Sequence, residues 1–128
     1  MGQSFKDLIV WQRAIELTFA IYKLTAGFPE TERYGLSDQV RRAAVSIASN
    51  ISEGYGRSTS GEYALFLGHG HARGSVCEVQ TQLVIAAGLG YGSDQTRAHA
   101  EKLAADVSRM LNALLISVKQ RKSIRGAH

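Results

Sequence analysis

The chain has 128 residues, of which 45% are hydrophobic, and its formal net charge is +4. This length predicts one domain with a single core, and the apolar content excludes a disordered chain. Cys77 is the only cysteine, which excludes an intrachain disulfide and is typical of a reducing, cytoplasmic location. The pattern predicts neither a membrane span nor a secretory signal.

Four helices are predicted from the spacing of apolar residues and from helix-ending residues. The first spans about residues 5–25, where Gly27 and Pro29 end it, and a short turn is expected at residues 29–34. The core-facing side of this helix is predicted to consist of Leu8, Trp11, Ile15, Phe19 and Tyr22.

The second predicted helix begins at Ser37 as its N-cap and is ended by Gly54 and Gly56. Ser46 and Asn50 place small or polar side chains beside its apolar seam, and Asn50 requires hydrogen-bond partners if it is buried. The seam itself is formed by Leu36, Val40, Ala43, Ala44, Ile47 and Ile51.

The third predicted helix is capped by Thr59, with Glu62 completing a capping box, and runs to residues 88–90. The fourth starts at Ser93 or Asp94 and ends near Lys119. The fold class is therefore all-α, an antiparallel up-down four-helix bundle of residues 1–118. Residues 119–128 are basic, contain no acidic residue and are predicted to form a disordered tail.

Apolar residues cover more of the third and fourth helices than one core requires, at residues 83–87 and 114–118. Two interpretations remain open. One is a well-filled core with some exposed apolar side chains, and the other is a second face that forms a subunit interface.

Several segments carry motifs that are similar to those of a known family. The matching positions are residues 8–14, 28–29, 34–47, 50–54, Arg57, 72–75, Glu78, 80–83 and 88–90. The motif residues among them are Trp11, Pro29, Gly35, Ser46, Asn50, Glu53, Gly54, Gly74 and Glu78. In these segments the chain resembles the four-helix-bundle family of 23S rRNA intervening-sequence proteins, and the resemblance covers about residues 5–115.

The resemblance implies an up-down bundle that assembles as a ring-shaped homopentamer without enzymatic activity or a cofactor. A relative, the accessory variability determinant of diversity-generating retroelements, works as a basic pentamer with nucleic acid and a reverse transcriptase. The resemblance therefore implies the chain itself, RNA or DNA, and a reverse transcriptase as partners.

One segment departs from the family pattern, because Gly68-His69 is repeated as Gly70-His71. Two additional residues in a continuous helix rotate everything beyond them by about 200°, which the apolar seam does not tolerate. A local bulge, or a shift of the first turns of the third helix, is expected to absorb them.

Catalytic and metal-binding patterns are weak in this sequence. His69 and His71 are two residues apart and face opposite sides of a helix, so no metal site is predicted. Ser46 and Ser75 lie in helical sequence rather than in a nucleophile elbow, and Cys77 is expected to be packed. The chain is predicted not to be an enzyme.

Nucleic-acid binding is the leading functional prediction, because guanidinium groups donate two hydrogen bonds at once to phosphate. One of Arg41 and Arg42 is expected to bond an acidic residue such as Glu53 or Glu78, across the bundle or between subunits. No base-stacking aromatic motif is found, which predicts weak sequence specificity. The candidate residues are Arg41, Arg42, Arg57, Arg73, Lys119, Arg121, Lys122 and Arg125.

The rival prediction is a protein-interaction scaffold, in which the positive charge only maintains solubility. The salt dependence of RNA or DNA binding distinguishes these two classes, because only direct phosphate contacts release counterions.

Overall fold

The computed structural model describes residues 4–126, including the side chains of residues 4–121. Its α-helices are α1 (Ile9–Thr25), α2 (Leu36–Tyr55), α3 (Ser60–Leu67), α4 (Ala72–Leu89) and α5 (Asp94–Gly126). Two short 3₁₀ turns, Phe5–Asp7 and Glu30–Glu32, precede α1 and α2. No strand occurs within residues 4–126, so the all-α prediction is confirmed.

The helices form a bundle around one hydrophobic core. The α1 helix packs against α2 and α5, while α3 and α4 each pack against both α2 and α5. The α3 and α4 helices therefore share the position of the predicted third helix. The largest fully buried side chains come from every α-helix of the bundle: Leu17, Ile21, Leu24, Ile47, Ile51, Leu67, Leu83 and Leu111.

The face that α1 turns to the core agrees with the predicted one only in part, because Leu8, Trp11 and Ile15 are half-buried against the core. Phe19 is 70% exposed and Tyr22 is exposed, so the prediction was wrong for both residues. Trp11 is half-buried and packs edge-to-face on Phe5, with 5.2 Å between the ring centroids. The side that meets α2 and α5 is aliphatic instead, and it consists of Val10, Ala14, Leu17, Ile21 and Leu24.

The N-terminus of α2 corrects the prediction that Ser37 is the N-cap. The helix begins at Leu36 with Gly35 in the cap position, and Ser37 is buried inside the first turn. Glu32 supplies the cap, because its Oε1 accepts a hydrogen bond from the Leu36 backbone N–H at 3.0 Å. A Cβ at Gly35 would lie 2.6 Å from that oxygen, so glycine leaves room for the carboxylate.

Gly54 does not end α2, which continues to Tyr55 and is capped by Gly56. Gly54 is buried instead, and a Cβ added to it would lie 2.8 Å from the Phe66 Cβ. Its role is to allow α3 to approach α2 closely, so the predicted helix-ending role is confirmed for Gly56 and was wrong for Gly54.

The distortion expected in the third helix is confirmed. Thr59 caps α3 by accepting a hydrogen bond from the Glu62 N–H at 3.1 Å, and α3 ends at Leu67. Residues 68–71 form a break, after which α4 begins at Ala72. The break lets both Leu67 and Val76 lie in the core.

The α5 helix extends further than predicted. Its helical backbone continues to Gly126, whereas the sequence pattern predicted an end near Lys119 followed by a disordered tail. Lysine, arginine and glutamine are good helix formers, and positive charge at a helix C-terminus interacts favourably with the helix dipole. For residues 119–126 the predicted disorder is therefore corrected to helix, and residues 127–128 lie outside the described part of the chain.

Tyr91 joins the α4–α5 connection to the turn before α2, because its hydroxyl donates to Glu32 Oε2 at 3.1 Å. This hydrogen bond raises the pKa of Tyr91 above its ordinary value, so the folded state retains the proton more tightly than the unfolded chain. The resulting stability is present below the ordinary tyrosine pKa and is lost as the pH rises through the raised pKa.

We expect Tyr91→Phe to lower the urea midpoint at pH 7, and the difference from the natural protein to shrink above about pH 10. Urea titrations at pH 7, 9 and 10.5 measure it. Tyr34→Phe is the control, since Tyr34 is 86% exposed. A Tyr91→Phe difference that grows with pH would contradict this assignment.

Candidate nucleic-acid interface

The first pair of candidate arginines lies in the N-terminal half of α2, where each of them has a polar partner within the chain. Arg41 donates from Nε to Thr25 Oγ1 at 2.7 Å, and its guanidinium lies 4.7 Å from the centroid of the Tyr22 ring. Arg42 pairs with Asp38, one turn earlier on the same helix, at 2.9 Å. One of the two arginines therefore pairs with an acidic residue as expected, but the partner within the chain is Asp38 rather than Glu53 or Glu78, and the Arg42 side chain remains 79% exposed.

Arg57 lies just beyond the end of α2, at the opposite end of the bundle from Arg41. Its guanidinium lies 4.6 Å from the centroid of the Phe66 ring on α3. Its Nη2 is 3.8 Å from Glu53 Oε2, which is an ion pair without a close hydrogen bond. Most of the donors of this guanidinium are therefore available to a further acceptor.

The remaining described candidates have no ion-pair partner among residues 4–121. Arg73 is half-buried in the first turn of α4, and Lys119 and Arg121 are exposed near the end of α5. The side chains of Lys122 and Arg125 lie outside the described residues. By contrast, Arg13, Arg97 and Arg109 all pair with carboxylates on their own helices.

The structure brings Arg57 and Arg121 to one end of the bundle. The α3 helix packs against both α2 and α5, and the charge of Arg121 acts on the Tyr63 hydroxyl, lowering a pKa that burial raises more strongly. Arg41 and Arg42 do not join this group. They lie four or more turns away along α2, which is on the order of 20 Å.

Aromatic residues accompany the basic ones at this end, and sequence reasoning missed them. The rings of Tyr55 and Tyr63 meet edge-to-face, with centroids 6.1 Å apart and planes at 87°. Phe66 packs on His71 with a centroid separation of 4.9 Å. The available signal was the position of Tyr55 and Phe66 on either side of Arg57 in the chain.

A polar seam between α2 and α4 explains two of the motif residues. Ser46 Oγ accepts hydrogen bonds from Asn50 Nδ2 at 3.0 Å and from Ser75 Oγ at 2.9 Å. Asn50 also donates to the Ser46 carbonyl at 2.8 Å, so its half-buried amide is partnered as expected. These groups join two helices and are directed at each other rather than at a ligand.

The other motif residues have structural positions. Pro29 precedes the turn that carries Glu32, and Gly74 lies where a Cβ would overlap the His69 carbonyl oxygen. Glu78 is exposed on α4. Cys77 is also exposed, so the prediction that it is packed was wrong, because the core side of α4 is formed by Val76 and Val79 instead.

Two further properties concern the described residues as a set. No group of three or more histidine, cysteine, aspartate or glutamate side chains in this part of the chain is arranged to hold a metal ion. No helix among the described residues combines the length and the apolar character that crossing a bilayer requires.

The comparison with known proteins decides the family. The model of the family described as 23S rRNA-intervening sequence protein matches residues 6–113. The chain belongs to this family. A solved protein of unknown function from the S23 ribosomal protein family of Bacteroides thetaiotaomicron is 18% identical, with a TM-score of 0.73 over 84% of this chain and 98% of that chain.

Membership of the 23S rRNA-intervening sequence protein family confirms the resemblance found in the sequence. The similarity to the solved relative shows a shared helical fold and nothing further at that identity. No curated protein is significantly similar to the chain in sequence. The feature of this family member that points to a function is the end of the bundle that carries Arg57, Lys119 and Arg121, which we name the basic end.

Proposed function

We propose that this 23S rRNA-intervening sequence protein binds RNA or DNA without sequence specificity through the basic end of its bundle, and catalyses no reaction. The observation that carries the proposal is the end of α5, where Lys119 and Arg121 are exposed and unpaired among the described residues. Lys122 and Arg125 follow with no acidic residue between them. Phosphate is the ligand class that such a stretch attracts.

The proposal includes assembly as a homopentameric ring of up-down bundles. Consecutive helices are neighbours, and the Thr18–Ala44 and Arg41–Thr25 hydrogen bonds fit an antiparallel arrangement of α1 and α2. A charge of +4 per chain becomes about +20 in five chains, which strengthens the attraction of a polyanion. A cytoplasmic location agrees with the single cysteine.

Exposed apolar side chains on α4 support self-association. Val84 is 72% exposed, Leu89 is 55% exposed, and Ile85 is exposed beside them. Val84 also borders a depression of about 310 Å³ between α4 and α5, which gives a partner's side chain a place to pack. The same exposed apolar side chains of α4 favour the second candidate function, a scaffold that docks another protein such as a reverse transcriptase.

Removal of the basic end of α5 tests the nucleic-acid proposal. We expect the slope of log affinity against log salt to become shallower by about 0.7 to 0.9 for each lost phosphate contact. Fluorescence anisotropy with a labelled RNA, measured between low and physiological salt, gives the slope. The variant combines Lys119→Ala, Arg121→Ala, Lys122→Ala and Arg125→Ala.

A control variant removes the same formal charge elsewhere and is expected to keep most of the slope. Its changes are Arg13→Ala, Lys23→Ala, Lys102→Ala and Arg109→Ala, of which all but Lys23 form ion pairs in the natural protein. An equal decrease of the salt slope in both variants would contradict a localised interface. No binding of RNA or DNA by the natural protein at low salt would leave the scaffold function.

A further inference from the structure

The basic end of the bundle carries a compact set of three aromatic and two arginine side chains, which we name the end cluster: Tyr55, Arg57, Tyr63, Phe66 and Arg121. Tyr55 and Tyr63 are each half-buried, and their rings meet at 87° with centroids 6.1 Å apart. Perpendicular contact leaves part of a ring face uncovered on at least one partner. Tyr63 also packs against the hydrophobic core, so the flat apolar area available at this end is the solvent-facing part of the two half-buried rings.

The local backbone is built so that the end cluster forms. A Cβ at Gly54 would lie 2.8 Å from the Phe66 Cβ and 3.1 Å from Tyr63 Cδ1. Any larger residue would therefore separate α3 from α2 at this point. The close approach positions both Tyr63 and Phe66 against the last turn of α2.

Charge at the end cluster favours an anion over a neutral ligand. Arg57 lies on the Phe66 ring with its only carboxylate partner at 3.8 Å, and Arg121 has no ion pair among the described residues. Glu53 and Glu62, both exposed, are the opposing acidic groups. The basic residues of α5 outweigh them, because residues 119–125 carry four positive charges and no negative one.

We infer that the end cluster binds single-stranded nucleic acid, with bases stacking on Tyr55 and Tyr63 and phosphates bound by Arg57 and Arg121. Aromatic rings stack on the face of any base, so this site is tolerant of sequence. In a duplex the base faces are already covered, and only the phosphate contacts remain. This inference rests on the proposed nucleic-acid function and adds the preferred strand state and the site.

The test compares a single strand with a duplex of equal length. We expect the natural protein to bind a labelled twenty-nucleotide oligothymidine more tightly than the matched duplex, by about tenfold or more for one stacked base. Tyr55→Leu should reduce that preference by about tenfold, the contribution of one stacked base, while leaving duplex affinity and its salt slope unchanged. Tyr55→Phe keeps the ring and should retain the preference.

A control and a second measurement keep the test decisive. Tyr34→Leu removes an 86% exposed tyrosine far from the end cluster and should change neither affinity. If Tyr55→Leu fails to fold by circular dichroism, photocrosslinking of bromodeoxyuridine oligonucleotides to the natural protein replaces it. Crosslinks are then expected within residues 55–66, and crosslinks confined to other helices overturn the inference.

The remaining outcomes separate this inference from the function on which it rests. Equal affinity of the natural protein for strand and duplex, with a steep salt slope, overturns stacking but keeps phosphate binding. A loss of affinity in Tyr55→Leu that is equal for single strand and duplex also overturns stacking but keeps phosphate binding. Absence of binding to either form at low salt overturns both proposals.

Discussion

Gly74→Ala is expected to destabilise the fold by about 1 to 3 kcal/mol, the usual cost of forcing an additional methyl group into a filled space. A Cβ at this position would overlap the backbone carbonyl oxygen of His69. Backbone cannot move aside as a flexible side chain does. The break at residues 68–71 would have to shift, and with it the Arg73 N–H bond to the Gly68 carbonyl at 3.2 Å.

The shift would also reach the packing around the break. His71 precedes α4 and its ring lies against Phe66, while Ala72 and Leu67 on either side of the break are fully buried. Moving the break therefore disturbs the core as well as the connection. Urea denaturation of both proteins at one fixed protein concentration measures the loss, because oligomer stability depends on concentration.

Gly70→Ala is the matched control in the same segment. A Cβ at Gly70 has no heavy atom within 4 Å, and its backbone φ does not lie in the left-handed region. The substitution reduces the freedom of the unfolded chain and is expected to stabilise by up to about 1 kcal/mol. Equal destabilisation by both alanines would show that the break tolerates no substitution at all and would contradict the steric argument.

Sequence patterns predicted the α2 seam and the break in the third helix, and the reasons are local. Val40, Ile47 and Ile51 recur at helical spacing with no competing apolar stripe on α2, and all three are buried. Around residues 68–71, two glycines weaken a helix whose two flanking segments each need their own apolar face in the core. The α2 seam needed nothing outside its own segment, whereas the break was recognised because Gly68-His69 is repeated where the family pattern is two residues shorter.

The face of α1 and the cap of α2 were not predictable in this way, because each depends on another element. Two apolar stripes lie side by side on α1, and only the positions of α2 and α5 decide that Leu17 is inside and Phe19 outside. The cap of α2 comes from Glu32 in the preceding turn, whereas Ser37 is the residue that local propensity favours.

The candidate site was only half visible in the sequence for the same reason. Unpaired basic residues at the end of α5 follow from composition alone. The contact between Tyr55 and Tyr63 requires the chain to reverse between α2 and α3, and the closeness of that reversal depends on Gly54. Arg41, in contrast, fitted the phosphate-binding pattern but is held by Thr25 and Tyr22.

Val84→Glu is expected to dissociate the proposed assembly into single chains of 13.9 kDa. Val84 is 72% exposed on α4, and Ile85 and Leu89 are exposed on the same helix, so α4 presents more apolar area to solvent than a single core requires. A carboxylate buried there without a partner costs several kcal/mol at each interface. A cost of about 3 kcal/mol weakens each contact more than a hundredfold.

Light scattering coupled to size-exclusion chromatography measures the mass directly. The natural protein is expected near five chains, roughly 70 kDa for a closed ring, and the variant at one. Phe19→Glu is the control, because Phe19 is 70% exposed but has Glu16 and Lys23 as neighbours on α1. A mass unaffected by Val84→Glu, or reduced equally by Phe19→Glu, would contradict α4 as the interface.

Dissociation should also change nucleic-acid binding if the ring combines the charge of its subunits. A single chain retains its own end cluster but has +4 rather than about +20 to attract a polyanion. We therefore expect Val84→Glu to weaken binding of a long RNA and to make its salt slope shallower, while the preference of each chain for single strands persists. Unchanged affinity for long RNA in a monomeric variant would mean that each bundle binds alone. It would contradict the prediction that the ring strengthens binding by combining the charge of its subunits.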